Sequence, residues 1–201
     1  MKRLVWLSAC LLALLCTANA GDIYNNLNSA TAGQDPVTTF GPLADSFSTG
    51  VGGFSLNQVT VLLNGDNTSL GSIAVYLLSD KSTSPGVVLA TFGTLSDSSL
   101  TSSLADYTFK LATPYGLGAS TRYWIEIVGS NSSANWAWSL DQNALGVAGE
   151  FFANQNGVFQ NVDGPYQMEL SGSPIPEPST PMVLASGLLA LVGLMRRKLL
   201  L

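Results

Sequence analysis

Apolar and polar residues alternate one for one through much of the middle of this chain, the period of a half-buried β-strand. Tyr107, Phe109 and Leu111 interleave with Asp106, Thr108 and Lys110. Tyr123, Ile125 and Ile127 interleave with Trp124, Glu126 and Val128, and Tyr166, Met168 and Leu170 with Gln167, Glu169 and Ser171. Ile73 to Leu78 and Val87 to Phe92 are apolar on both parities, which predicts strands covered on both faces. Phe54 and Leu56 fall on one parity and Val59, Val61 and Leu63 on the other, so a bulge is expected near Asn57-Gln58. Trp136, Trp138 and Leu140 make one further face. Turn residues separate the runs: Asn64-Gly65-Asp66-Asn67, Ser84-Pro85-Gly86, Tyr115-Gly116-Leu117-Gly118, Asn131-Ser132-Ser133, Asn156-Gly157 and Asp163-Gly164-Pro165. No stretch from Gly21 to Ser171 carries a helical period. The pattern predicts an all-β fold, a single antiparallel β-sandwich with jelly-roll or Greek-key-like connections.

Both ends break the pattern. Lys2-Arg3, the apolar run Leu4 to Leu15 and Ala18-Asn19-Ala20 before Gly21 have the three parts of a signal peptide, cut between Ala20 and Gly21. A competing reading takes Leu7-Ser8-Ala9-Cys10 as a lipoprotein box, but the apolar run before it is short and more apolar sequence follows it. At the other end Ser173-Pro174-Ile175-Pro176-Glu177-Pro178-Ser179-Thr180-Pro181 precedes an apolar run from Met182 to Met195, then Arg196-Arg197-Lys198 and three leucines. Prolines at that density donate no ladder hydrogen bonds and continue no helix, so the spacer is extended. As a hydrophobic helix the run spans about 21 Å, short of a hydrocarbon core of about 30 Å. Snorkelling by the basic side chains narrows the gap. Those cations favour the cytoplasmic side, which leaves the rest of the chain outside.

The C-terminal order resembles a PEP-CTERM sorting signal, a bacterial tripartite tail handled by membrane enzymes called exosortases. Pro176-Glu177-Pro178 matches the signature, Met182 to Met195 the membrane segment and Arg196-Arg197-Lys198 the basic end. The resemblance implies export, transient tethering, processing near the motif, and delivery to the cell surface or an exopolysaccharide matrix. An ordinary single-pass anchor on a proline stalk is the alternative. A second resemblance lies within the central region. Asp45-Ser46-Phe47-Ser48-Thr49-Gly50, Leu56 to Leu63, Ile73 to Asp80, Ser84 to Leu89 and Leu117 to Ile127 are similar to the choice-of-anchor R domains, over about 45–139. It implies an exported domain and supplies no catalytic residues.

Cleavage at both ends changes the composition. Cys10 and Cys16 are the only cysteines and leave with the signal peptide, so the mature chain has no disulfide. The chain has no histidine. That excludes Ser/His and Cys/His nucleophile systems and the common zinc sites. The two signals hold five of the eight cations, leaving Lys81, Lys110 and Arg122 against a dozen carboxylates. So acidic a domain is a poor partner for nucleic acid or anionic lipid.

Four residues are candidate carbohydrate contacts: Trp124 and Glu126 on one strand face, Trp136 and Trp138 on another. Tryptophan beside carboxylates holds sugar rings by apolar stacking and hydrogen bonds, although large aromatics between two sheets are more often core. At least one of the three tryptophans is expected in the core, with Trp136 and Trp138 favoured. Glycosidase chemistry needs only two carboxylates, and Glu126 with Glu150, Glu169 or Asp141 is the available set. Asn64-Gly65-Asp66-Asn67 and Ser79-Asp80 offer hard oxygens to calcium, but without the EF-hand spacing a plain turn explains them.

The sequence reading is therefore a signal peptide (1–20), a β-sandwich (21–172), a proline-rich linker (173–181), a membrane or sorting segment (182–195) and a basic cytoplasmic tail (196–201). The function expected is that of an exported, non-enzymatic surface or matrix protein without a cofactor. Its expected partners are signal peptidase, exosortase, the membrane and exopolysaccharide. A carbohydrate-binding module on the cell's own exopolysaccharide is the alternative, and a glycan-active enzyme the third.

Overall fold

A computed structural model describes residues 21–38, 41–140, 150–161 and 164–175. The expected signal peptide (1–20), the Pro-Glu-Pro motif, the apolar segment, the basic cluster and Asp141 lie outside the described residues. In chain order the strands are β1 (Gly21–Asn25), β2 (Thr31–Pro36), β3 (Leu43–Ser48), β4 (Phe54–Asn64), β5 (Ser72–Asp80) and β6 (Pro85–Ser96). They continue as β7 (Ala105–Leu117), β8 (Arg122–Ser130), β9 (Asn135–Ser139), β10 (Phe151–Asn154), β11 (Gly157–Gln160) and β12 (Met168–Pro174). Among the described residues the fold is all-β, in two antiparallel sheets of six strands each. The first runs β1-β12-β4-β9-β2, with β7 also paired to β4; the second runs β11-β10-β3-β8-β5-β6.

The alternating residues face a shared interior. Leu56, Val59, Val61 and Leu63 from β4, with Met168 and Leu170 from β12, meet Val75 and Leu77 from β5 and Ile125 and Ile127 from β8 in one buried cluster. Such apolar side chains fully withdrawn from water are worth roughly 1.5–3 kcal/mol each, against the entropy of ordering the strands. The parity change in β4 is a bulge. Its register slips between Leu56 and Gln58 against β7, and β12 slips between Ser171 and Gly172 against β4. Asn57 is the extra residue that lets Leu56 and Val59 point inward together.

Some expectations need correction. Val87 and Val88 are exposed: β6 is the edge strand of its sheet, and its start slips in register against β5 around them. The β5–β6 turn is Lys81–Ser84 rather than Ser84-Pro85-Gly86: the Lys81 and Ser84 amides donate to each other's carbonyls, and β6 begins at Pro85. Tyr115 to Leu117 belong to β7, and the turn that follows starts at Gly118. Leu140 is exposed and does not continue the Trp136 face. At the C-terminal boundary, β12 runs two residues past the sequence-based domain limit: Ser173 and Pro174 pair with Ser55 and Phe54 of β4.

Candidate functional site

Residues of β8 on the parity opposite the core point to the outer face of the second sheet, where a second apolar cluster lies. Trp124 is wholly buried there among Ala44, Leu78 and Ala153, with Tyr76 and Phe151 packed alongside. Its indole Nε1–H donates to Asp80 Oδ1 at 2.8 Å. Two residues earlier, Arg122 spans two carboxylates. Its Nε donates to Glu150 Oε2 at 3.1 Å, and its Nη1 lies 3.8 Å from Asp80 Oδ2. The guanidinium also covers the Phe151 ring at 5.0 Å from the centroid, so its flat face is used as well as its charge. Glu150 is buried and accepts from the hydroxyls of Ser46 and Ser48, and Ser46 Oγ in turn accepts the Phe151 amide at 2.8 Å. Burial of this carboxylate is sustained by one cation and two hydroxyls, which is the condition for an ion pair to persist out of water.

Above this network opens a groove of about 550 Å³, bounded by Asp80, Leu89, Tyr115, Ser120, Thr121 and Arg122. It forms where the ends of β5 and β7 and the start of β8 converge beside β6. One lining residue, Ser120, and the turn that follows Asp80 have strained backbone. Ser82 and Thr83, the central turn residues after Asp80, have φ of 53° and 70°, and Ser120 has φ of 48°. Non-glycine residues rarely adopt this region, and a β-branched threonine least readily. The Thr83 amide donates to Asp80 Oδ2 at 3.4 Å, which ties the strained turn to the groove carboxylate.

The carbohydrate candidates separate. Trp136 is wholly buried in the main core, stacked on Tyr166 at 4.6 Å between centroids, with Nε1–H donated to the Gln167 carbonyl at 3.0 Å. Trp138 is half-buried and packs over Gly33 and Gly164, where a Cβ on either glycine would meet the indole at 2.4 Å and 3.0 Å. The second fully buried tryptophan is thus Trp124 and not Trp138, because Ala44, Leu78 and Ala153 cover the outer face of β8. Neither Trp124 nor Trp136 presents a ring face to solvent. Glu126 is half-buried on the Trp124 side of β8, opposite Ala44 and Tyr76, and burial raises its pKa. Glu150 is committed to Arg122, Ser46 and Ser48. Glu169 is on the other sheet, accepting from Asn25 Nδ2 at 2.9 Å. The structure brings Trp124 together with Asp80, and it leaves the two tryptophan faces on different sheets.

The calcium candidates are internally satisfied. Asp66 Oδ1 accepts the Thr68 amide and hydroxyl at 2.9 and 2.7 Å, which holds its pKa below the ordinary value. Neighbouring Asp97 is buried, which pushes its pKa up. The Ser133 amide and the hydroxyls of Ser132, Ser69 and Ser133 outweigh that push and leave it lowered. Among the described residues no three acidic side chains converge as a metal site.

One buried acid has no such support. Asp45 shares the inward parity of Leu43 and Phe47 on β3, opposite Ile125 and Phe152, and neither of its oxygens has a hydrogen-bond partner. Burial drives its pKa well up. The Asn161 side chain and the amides of Tyr166 and Ser46 lie nearest its polar edge and offset this only in part. The Tyr24 hydroxyl is also buried and unpaired, and burial together with the Asp45 and Glu150 carboxylates raises its pKa.

Sequence reasoning missed Asp80, Tyr115 and Arg122 as a constellation. The one available signal was Arg122, the single arginine between the two terminal segments. The class established among the described residues is a two-sheet, all-antiparallel β domain with a groove lined from both sheets. No protein-family model matches the chain, and no curated protein matches it.

Proposed function

We propose that this is an exported, non-enzymatic cell-surface or extracellular-matrix protein, sorted by exosortase-type handling of its C-terminal tail. Its body on this reading is a single antiparallel β-sandwich with jelly-roll or Greek-key-like connections. Successive strands lie in different sheets at every step except β1–β2, β5–β6 and β10–β11, which favours such a topology.

The supporting observation is how the terminal strands pair. β1 begins at Gly21, the residue after the Ala18-Asn19-Ala20 cleavage site, and Gly21 pairs with Gly172 of β12. β12 ends at Pro174, two residues before Pro176-Glu177-Pro178, and the Ile175 amide closes on the Gly53 carbonyl at 2.9 Å. Gly21 and Pro174 therefore lie at one end of the same sheet, next to both proposed processing points. The spacer 176–181 reaches about 20 Å when extended, so a tethered domain stands close to the membrane with that end toward it.

The test is processing in a host with an exosortase. The exported chain is expected to begin at Gly21. Replacing Pro176, Glu177 and Pro178 with alanine is expected to leave a larger, uncut form in the membrane. Identical size and location for wild type and triple variant would return the tail to a plain anchor. An acylated Cys10 at the mature terminus would overturn the signal-peptide reading. The carbohydrate-binding alternative is favoured by the groove at Asp80 and Tyr115 rather than by buried Trp124 and Trp136.

A further inference from the structure

The geometry points to the groove between Asp80, Tyr115 and Arg122 as a binding site for a neutral glycan, recognised through its hydroxyls and one apolar ring face. This deepens the carbohydrate-binding reading and moves it away from the tryptophans.

Four features carry it. The groove's volume of about 550 Å³ falls within the size of small-ligand sites. Its walls mix Tyr115 and Leu89, which suit the C–H face of a sugar, with the Asp80 carboxylate, the Ser120 and Thr121 hydroxyls and the Arg122 guanidinium. The polar groups are held in place from below: Asp80 by Trp124 Nε1–H at 2.8 Å, Arg122 by Glu150 at 3.1 Å and by the Phe151 ring. A side chain already fixed loses little entropy when a ligand arrives. Finally, Asp80 Oδ2 lies 3.8 Å from Arg122 Nη1, so a carboxylate acceptor and a guanidinium stand side by side on the groove wall.

The strained backbone fits the same site. Ser120, which lines the groove, holds a left-handed conformation, and such strain is tolerated where position matters. Charge selects the ligand class. Arg122 is flanked by two carboxylates on an already acidic domain, so a uronate or sulfated chain meets repulsion while an uncharged chain does not. Asp80 keeps acceptor capacity for a sugar, because an ionised carboxylate offers about four lone-pair sites.

The experiment uses the full-length chain purified in detergent, so its outcome does not depend on sorting. Titration calorimetry is run with cellohexaose, mannohexaose, xylohexaose and a β-galactan oligomer, and with oligomannuronate as the anionic arm. Saturable binding to at least one neutral oligomer and none to oligomannuronate is expected. Asp80→Asn retains an acceptor for the Trp124 indole, so the fold survives, and it is expected to weaken binding by about 10–100-fold. Tyr115→Ala is expected to weaken it further and Tyr115→Phe to keep most of it. Lys110→Ala, at an exposed position on β7, is expected to bind as wild type. No binding to any neutral oligomer, equal binding to oligomannuronate, or undiminished binding by Asp80→Asn with its melting temperature unchanged would each overturn the proposal. Loss of sorting with glycan binding intact would instead count against the export reading alone.

Discussion

Replacing Asp45 with asparagine is expected to stabilise this protein near neutral pH and to leave it unchanged in acid. The Asp45 carboxyl group sits in the core between Ile125 and Phe152, with no hydrogen-bond partner on either oxygen. In the unfolded chain its pKa is about 3.9; in the native state burial raises it well above that. Between the two values the unfolded chain has released the proton while the native chain retains it. The native state then binds one proton more, so stability falls as pH rises, by about 1.4 kcal/mol per pH unit. The contribution is fully present below the unfolded pKa and lost once pH passes the folded one. An asparagine in this place cannot titrate, and its amide resembles the protonated acid in size and polarity.

Urea unfolding of the protein and of Asp45→Asn, at intervals from pH 3 to pH 8, measures the effect as a difference between two curves. Glu126 is also raised by burial, and Asp66 and Asp97 are lowered. All three are common to both proteins, so their slopes cancel. The curves should coincide within about 1 kcal/mol below pH 4, then separate in favour of asparagine. Each pH unit between the two pKa values costs about 1.4 kcal/mol, a noticeable part of a typical total of about 5–15. A pH-independent difference, or an asparagine variant less stable at pH 7, would show that Asp45 is ionised and paired in solution.

Trp136→Ala should cost about 3–5 kcal/mol, because it removes the Tyr166 stack and leaves the Gln167 carbonyl without its indole donor; half-buried Trp138→Ala should cost less, and equal shifts in thermal melts would refute the ranking. Ser82→Asn with Thr83→Gly should stabilise the β5–β6 hairpin by about 1–2 kcal/mol, since asparagine and glycine accept the positive φ that serine and threonine hold under strain. A lower melting temperature for that double variant would mean the turn is not strained in solution.

The period-two alternation of β7, β8 and β12 was readable because a strand's side-chain repeat does not depend on its neighbours. The bulge at Asn57 was readable for the same reason: Leu56 and Val59 cannot both face the interior unless one residue is extra. The absence of histidine and the acidity between the terminal segments follow from composition alone. What covers each face is another matter, because it depends on residues far away in the chain. Trp124 and Glu126 share a parity, yet Trp124 is sealed by Ala44, Leu78 and Ala153 while Glu126 stays half-exposed. Val87 and Val88 carry the apolar pattern of a buried strand, but β6 lies at an edge, and edge position is set by strand order. Asp45 sits in the core because Leu43 and Phe47 anchor β3 on either side and leave the intervening inward position to a carboxylate. The groove joins Asp80, Tyr115 and Arg122 from three strands, so no local sequence window contains it. Local periodicity reports which way a side chain points, whereas burial and convergence depend on which strands the fold places beside it.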